Sequence, residues 1–172
     1  PGARASDWYF DIATLHLYTS PEGLFKVPNL FHRLMQAKGF DKPIWINETN
    51  VVPYDDPVNA GTPNGTAAQQ RSTLDEQASY ITQALAMGRA AGVDHVEVYR
   101  MKDGDGDVVN GEALVRADGS KRPEYKAFQL AVKLFSDGRP ILFAPGDLRE
   151  VVFDQGPQRV SVLWDASPTP IR

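Results

Sequence analysis

The chain has 172 residues, 42% of them apolar and 23% charged, the proportions of an ordinary globular protein with enough length to bury a core. A formal net charge of −4 supplies no basic field for nucleic acid and no polybasic patch for a membrane surface, and no apolar run approaches the roughly 20 residues that span a bilayer. With no cysteine, disulfides and thiolate chemistry are excluded, whereas the redox compartment stays open.

The opening residues, Pro1 to Asp7, have loop composition and no apolar leader follows, which suggests an excised piece of a longer polypeptide. Asp11 to Tyr18 is expected to form a strand, closed by a turn at Ser20-Pro21-Glu22-Gly23. Leu24, Val27, Leu30, Phe31, Leu34 and Met35 then follow helical spacing up to Gly39. Next, Ile44-Trp45-Ile46 behind Pro43 reads as a short strand covered on both faces, and it runs directly into Asn47, Glu48 and Asn50. A long polar loop from Val51 to Ser72 follows, of a length that is usually functional or disordered.

Thr73 and Glu76 have capping-box spacing and predict a helix carrying Ala78, Ile81, Leu85 and Gly88, ending near Gly92. Val93 to Tyr99 is the third expected strand, and a second polar loop runs from Arg100 to Glu112. Pro123 opens a further helix with apolar content from Tyr125 to Phe135. In the tail, Glu150–Asp154 and Arg159–Asp165 flank Gln155-Gly156-Pro157-Gln158 as a hairpin, with a boundary near Asp137 to Asp147. The order βα, βα, βα and then antiparallel β implies an α/β fold with a parallel sheet. It fits either part of a (β/α)8 barrel or a small open sheet.

Each expected strand ends in polar groups: His16 and Tyr18 two residues apart on one face, then Asn47, Glu48 and Asn50, then Glu97 and Tyr99. In parallel α/β architectures that end of the sheet carries the chemistry. Glu48 is therefore the leading candidate for catalysis, because a carboxylate nucleophile needs neighbouring donors of the kind His16 and Tyr18 offer. The competing reading is a structural carboxylate satisfied by backbone N–H groups. Trp45, alternating with Glu48, is expected to pack outside a barrel. Trp8 and Tyr9 are either sugar platforms or loop packing, and Glu97 and Arg100 are candidates for an ion pair. Asp103-Gly104-Asp105-Gly106-Asp107 resembles half of a calcium loop, but Leu114 stands where the twelfth-position Glu belongs, so a solvated loop is the preferred reading.

Residues 7 to 136 taken together, above all Asp11–Tyr18, Asp41–Asn50, the Glu76-Gln77-Ala78 helix leading to Gly92–Asp103, and Arg116–Phe135 with the preceding Leu114, resemble the last third of clan A glycoside hydrolase barrels of the family 39 and family 5 type. In the last of these segments Leu114, Asp118, Gly119, Arg122, Pro123, Tyr125 and Ala127 match a Gly-Leu-x-x-x-Asp-Gly-x-x-Arg-Pro-x-Tyr-x-Ala pattern, without the Gly before Leu114.

The resemblance implies that residues 1–138 are strands six to eight of a (β/α)8 barrel and that 139–172 begin an accessory β-domain. It implies a retaining hydrolysis with Glu48 as nucleophile, His16 and Tyr18 in support, and Tyr99, Asn47 and Asn50 contacting the sugar. Tyr99 stands where those enzymes often carry Trp. The acid/base Glu of the clan ends strand four, which lies upstream of this sequence, so the chain alone should hydrolyse glycosides poorly. The implied partners are an oligosaccharide, polysaccharide or glycoside and the rest of the parent barrel. No cofactor or metal is implied, and a secreted or extracytoplasmic setting is suggested. The alternative is a non-catalytic carbohydrate-binding or scaffold protein on a degenerate barrel.

Overall fold

In a computed structural model of the chain, residues 2–58, 71–104 and 111–166 are described. A short helix α1 (Gly2–Ala5) and a 3-10 turn lead into β1 (Ala13–His16), α2 (Pro21–Ala37) and β2 (Ile44–Glu48). The two-residue strands β3 (Val52–Pro53) and β4 (Arg71–Ser72) pair with each other before α3 (Leu74–Ala90), β5 (His95–Val96) and α4 (Pro123–Phe135). The chain closes with β6 (Arg139–Ala144), β7 (Leu148–Asp154) and β8 (Arg159–Asp165). The fold is mixed α/β, with β1, β2 and β5 forming a parallel sheet in that order and β6, β7 and β8 an antiparallel one.

Local chemistry accounts for most of these elements. Pro21 sits in the first turn of α2, where its missing N–H costs nothing, with Ser20 at the N-cap. The sequence Ser20 to Gly23 thus opens a helix rather than closing a strand. At α3 the expected capping box forms in full: Thr73 Oγ1 accepts from the Glu76 N–H at 3.1 Å, and Glu76 Oε2 accepts from the Thr73 N–H at 2.6 Å. The hairpin of β7 and β8 also stands as read. Its third strand, β6, occupies part of the segment taken for a boundary. Pro140 hides it in the sequence, and the position is tolerable because β6 is an edge strand whose register shifts beside that residue.

Helix α3 lies between the two sheets. Gly88 lets its backbone close onto the parallel sheet, since a Cβ there would stand 2.8 Å from Val96 Cγ2 and 3.8 Å from Ile46 Cδ1. On the other side, Val151 and Phe153 of β7 belong to the same hydrophobic core as Ile44, Ile46, Ile81 and Met87. Phe135 stacks on Phe153 at 4.7 Å and Phe25 meets Phe143 at 4.6 Å, fixing α4 and α2 to the antiparallel sheet. A helix covered on both sides needs apolar residues around its circumference, and Tyr80, Ile81, Ala84, Leu85, Ala86 and Met87 are all buried. The other helices are less covered: Leu30, Phe31 and Leu34 of α2 and Leu130, Val132 and Leu134 of α4 are exposed.

Beyond the sheet, buried charges tie the loops together. Arg122, 1% exposed, donates from Nε to Asp56 Oδ2 at 2.7 Å and forms an ion pair with Asp103, Nη2 lying 2.8 Å from Oδ2. Arg116 adds a second guanidinium to Asp56 at 3.0 Å. Burial alone would raise the Asp56 pKa; the bonds from Arg116, the Val58 N–H and Arg122 hold it below the usual carboxylate range instead. Arg122 is also the N-cap residue of α4, the positive end of a helix dipole, and the two aspartates offset that repulsion. Replacing Arg122 with Met should lower the unfolding free energy by about 3–5 kcal/mol, because buried Asp103 loses its guanidinium and buried Asp56 loses one of two. Urea unfolding monitored by tryptophan fluorescence reads this; an unchanged midpoint would show that the network contributes nothing to stability.

Candidate active site

The register of β2 decides which face Glu48 occupies. Ala13 pairs with Ile44, Thr14 with Trp45 and Leu15 with Ile46, but His16 pairs with Glu48, so Asn47 is an extra residue bulged out of the ladder. By strict alternation Glu48 would join Ile44 and Ile46, both fully buried against the helices. The bulge turns it to the opposite face, the one bearing Thr14, His16, Trp45 and His95. Trp45 is accordingly not on the outside of the sheet. It shares the uncovered face with Glu48 and meets the His95 ring at 5.2 Å.

On that face Tyr18 and His16 converge on one oxygen of Glu48. Tyr18 Oη donates to Glu48 Oε2 at 2.9 Å, and His16 Nδ1 lies 3.3 Å from the same atom. Glu48 Oε1 has no hydrogen bond among the described residues, so one oxygen is anchored and the other is open to an electrophile. The Glu48 side chain is 29% exposed, within reach of a ligand but not fully hydrated. Burial, then the hydrogen bond to Glu48 and the charges of Glu48 and Glu112, push the Tyr18 phenol well above its ordinary value. Tyr18 therefore remains a donor at any physiological pH.

The remaining expected residues divide. Tyr99 is brought to the site: its N–H donates to the Thr49 carbonyl at 3.2 Å, and its hydroxyl contributes to the raised pKa of Tyr18. Asn47 stands beside Glu48 in the bulge, with its Oδ1 buried and without a hydrogen-bond partner among the described residues. Asn50 is turned inward. It is 1% exposed, its Nδ2 donates to the Tyr99 and Glu112 carbonyls, and its Oδ1 accepts from the Val51 N–H. Both of its amide hydrogens are committed to backbone carbonyls.

Trp8 stacks on Phe40 at 4.3 Å, before the start of β2 and so at the end of the sheet away from Glu48; it serves loop packing. Glu97 pairs with His95 at 3.4 Å, not with Arg100, whose guanidinium lies 5.6 Å from the Tyr99 ring centre. Asp103 is engaged by Arg122 and by the Ala113 N–H, which removes it from any cation loop, whereas Asp105 and Asp107 lie outside the described residues. No group of acidic or histidine residues among the described ones is arranged to hold a metal ion, and no described helix is long and apolar enough to cross a membrane.

By its sequence Glu112 reads as a loop residue. Its side chain is fully buried and its carbonyl is held by Asn50 and Gln77. Burial pushes its carboxyl up to about 7, opposed by Arg100 and Arg122 and assisted by Asp103 and Glu48. Glu124, also fully buried, is held well above its ordinary value for the same first reason. The available signal was Arg122 at a helix start, where a cation is out of place unless carboxylates surround it.

The fold is shared with part of a solved glycoside hydrolase. A family 39 glycoside hydrolase from the gut symbiont Bacteroides cellulosilyticus WH2 shares the fold, with a TM-score of 0.61 at 17% identity over 84% of this chain. The chain spans only 30% of that enzyme's length. A β-glucuronidase from Bifidobacterium dentium, complexed with coumarin-3-O-glucuronide, matches with a TM-score of 0.45 and 10% identity over 73% of this chain and 21% of its own. An FMN-binding β-glucuronidase from Facaelibacterium prausnitzii L2-6 matches with a TM-score of 0.47 and 12% identity over 91% of this chain and 29% of its own. No protein-family model and no curated protein matches the chain.

Glu112 generates a pH prediction. The folded chain keeps a proton on it up to about 7, whereas an unfolded carboxyl loses it near 4.5. Between those values the folded state binds more protons, so stability falls as pH rises through that window, and Glu124 adds in the same direction. Glu112→Gln should flatten this fall, read as urea midpoints at acid, intermediate and alkaline pH. An equally steep fall in the variant would mean that Glu112 titrates normally in the folded chain.

Proposed function

We propose that the chain is strands six to eight of a (β/α)8 retaining glycoside hydrolase, with residues 1–138 in the barrel and 139–172 opening an accessory β-unit. β1, β2 and β5 are then those strands. The observation that carries this reading is that Tyr18 Oη donates to Glu48 Oε2 while His16 Nδ1 lies 3.3 Å from the same oxygen, and Oε1 carries no hydrogen bond among the described residues. A nucleophilic carboxylate requires this geometry, since it must be aimed, ionised and unobstructed on one oxygen. Oε1 attacks the anomeric carbon and forms a glycosyl-enzyme while a second carboxyl protonates the departing oxygen; that carboxyl then draws a proton from the water that releases the sugar. Tyr18 steadies Oε2 in both steps, and Tyr99 and Asn47 flank the sugar.

The second carboxyl of a retaining pair stands about 5–5.5 Å from the first. Glu112 does not qualify, because a fully buried side chain cannot touch a glycosidic oxygen. The acid is therefore assigned to the upstream part of the parent enzyme. The exposed apolar residues of α2 and α4 and the uncovered face bearing Trp45 support further structure packing there. The substrate is an oligosaccharide, polysaccharide or glycoside, and the two carboxyls do the chemistry without a cofactor.

In the parent polypeptide, Glu48→Gln should cut turnover of an activated nitrophenyl glycoside by at least ~10³-fold while sugar binding by calorimetry persists. Retained turnover would remove Glu48 from the nucleophile role; binding with no turnover in the unmodified parent would favour a carbohydrate-binding scaffold. Tyr18→Phe should lower kcat roughly 10²-fold through misplacement of the carboxylate. A phenylalanine variant with unchanged kcat would show that the phenol is dispensable.

A further inference from the structure

The chain leaves β2 by a route its own backbone ladder does not hold. On one side the Glu48 carbonyl accepts from the Leu17 N–H at 2.9 Å. On the other side, after Glu97 N–H bonds the Ile46 carbonyl, the next backbone bond to the third strand is Tyr99 N–H to the Thr49 carbonyl at 3.2 Å. The bulge at Asn47 has used up the regular register, so residues 48–51 need another support.

Asn50 supplies it. Its Oδ1 accepts from the Val51 N–H at 2.8 Å, fixing the turn out of the strand. Its Nδ2 carries both remaining bonds, to the Tyr99 carbonyl at 3.0 Å and to the Glu112 carbonyl at 2.6 Å. One amide thus joins the end of β2, the end of the third strand and the loop that carries Glu112. It does so two residues from Glu48 and almost without exposure. Gln77 of α3, also fully buried, holds the Val51 and Glu112 carbonyls at 3.1 Å each, but no bond of its side chain reaches Tyr99.

We propose that Asn50 is a positioning residue for Glu48: its amide replaces the interrupted ladder and fixes the Glu48 carboxylate against Tyr18. This rests on the glycosidase reading for its catalytic consequence, though not for its geometry. Only a side chain with both a donor and an acceptor at its tip satisfies all three backbone groups. An aspartate of the same shape keeps the acceptor and sets carboxylate oxygens against two carbonyls. It would sit among Glu112 and Asp103 of the loop after β5, Glu124 and Arg122 of α4, and Arg100, a field already rich in carboxylates. The strand end should then shift, and a displacement near 1 Å at a reacting group costs on the order of 10²-fold in rate.

The test compares Asn50→Asp with Gln77→Glu, read in two ways. In the parent enzyme, Asn50→Asp should lower kcat for a nitrophenyl glycoside about 10- to 100-fold with KM within about threefold, whereas Gln77→Glu should lower the melting temperature and leave kcat nearly unchanged. In the present chain, the 13C resonance of the Glu48 carboxyl should move in Asn50→Asp and stay in Gln77→Glu. A folded Asn50→Asp protein with normal kcat and an unmoved Glu48 resonance overturns the proposal, as does equal loss of kcat in both variants. If Asn50→Asp does not fold, Asn50→Ser, neutral and too short to reach both carbonyls, is read by the same resonance. A parent that hydrolyses no nitrophenyl glycoside would overturn the glycosidase reading alone, because the resonance still decides whether Asn50 positions Glu48.

Discussion

One extra residue in β2 governs the site. Asn47 has no counterpart in the ladder with β1, and beyond it the alternation of the strand is reversed. Without that shift Glu48 would point with Ile44 and Ile46 toward α3, where an unpaired carboxylate would carry a heavy desolvation penalty. With it, the strand buries its first half as any central parallel strand does and then delivers a carboxylate to the opposite face. The bulge also explains why Tyr18, His16 and Glu48 meet: His16 is paired directly with Glu48, and Tyr18 lies two residues further along the same face.

The bulge has a structural consequence that the surrounding groups answer. An interrupted ladder leaves backbone polar groups to be satisfied by side chains, and buried backbone groups are almost never left unpaired. Asn50 and Gln77 take that role around residues 49–51, while Arg122, Asp56 and Asp103 clamp the loops after β2 and β5 to the start of α4. These groups are held in place by one another more than by local secondary structure. The region beneath the site is therefore rich in buried charge, with Glu112 and Glu124 pushed toward their neutral forms.

Elements marked by short-range chemistry were legible in the sequence. The Thr73 and Glu76 capping box, Pro123 at the start of α4 and the β7–β8 hairpin are each decided by residues within a few positions of one another. Those that failed depend on what packs beside them. Pro21 signals a turn or a helix start equally well, and only the helix that follows settles which. Pro140 argues against a strand unless the strand lies at an edge, a fact of sheet order rather than of sequence. The sequence predicts a third strand from Val93 to Tyr99, but regular pairing is limited to His95 and Val96, because its partner β2 bulges just beyond.

The same division holds in the site. The sequence by itself determined that an imidazole and a phenol end the first strand and a carboxylate ends the second at the same edge of the sheet, because strand–helix alternation sends both strands the same way. Which face each of them occupies was decided only by tertiary structure. A one-residue register shift moves a side chain across the sheet, and no periodic pattern within β2 records it. That shift brought Glu48 to the face that bears Trp45, and the strand end beyond it is tied by Asn50 above the buried Glu112. Hydrogen bonds between residues some fifty positions apart, such as that from Asn50 to Tyr99, exist only once the strands are side by side.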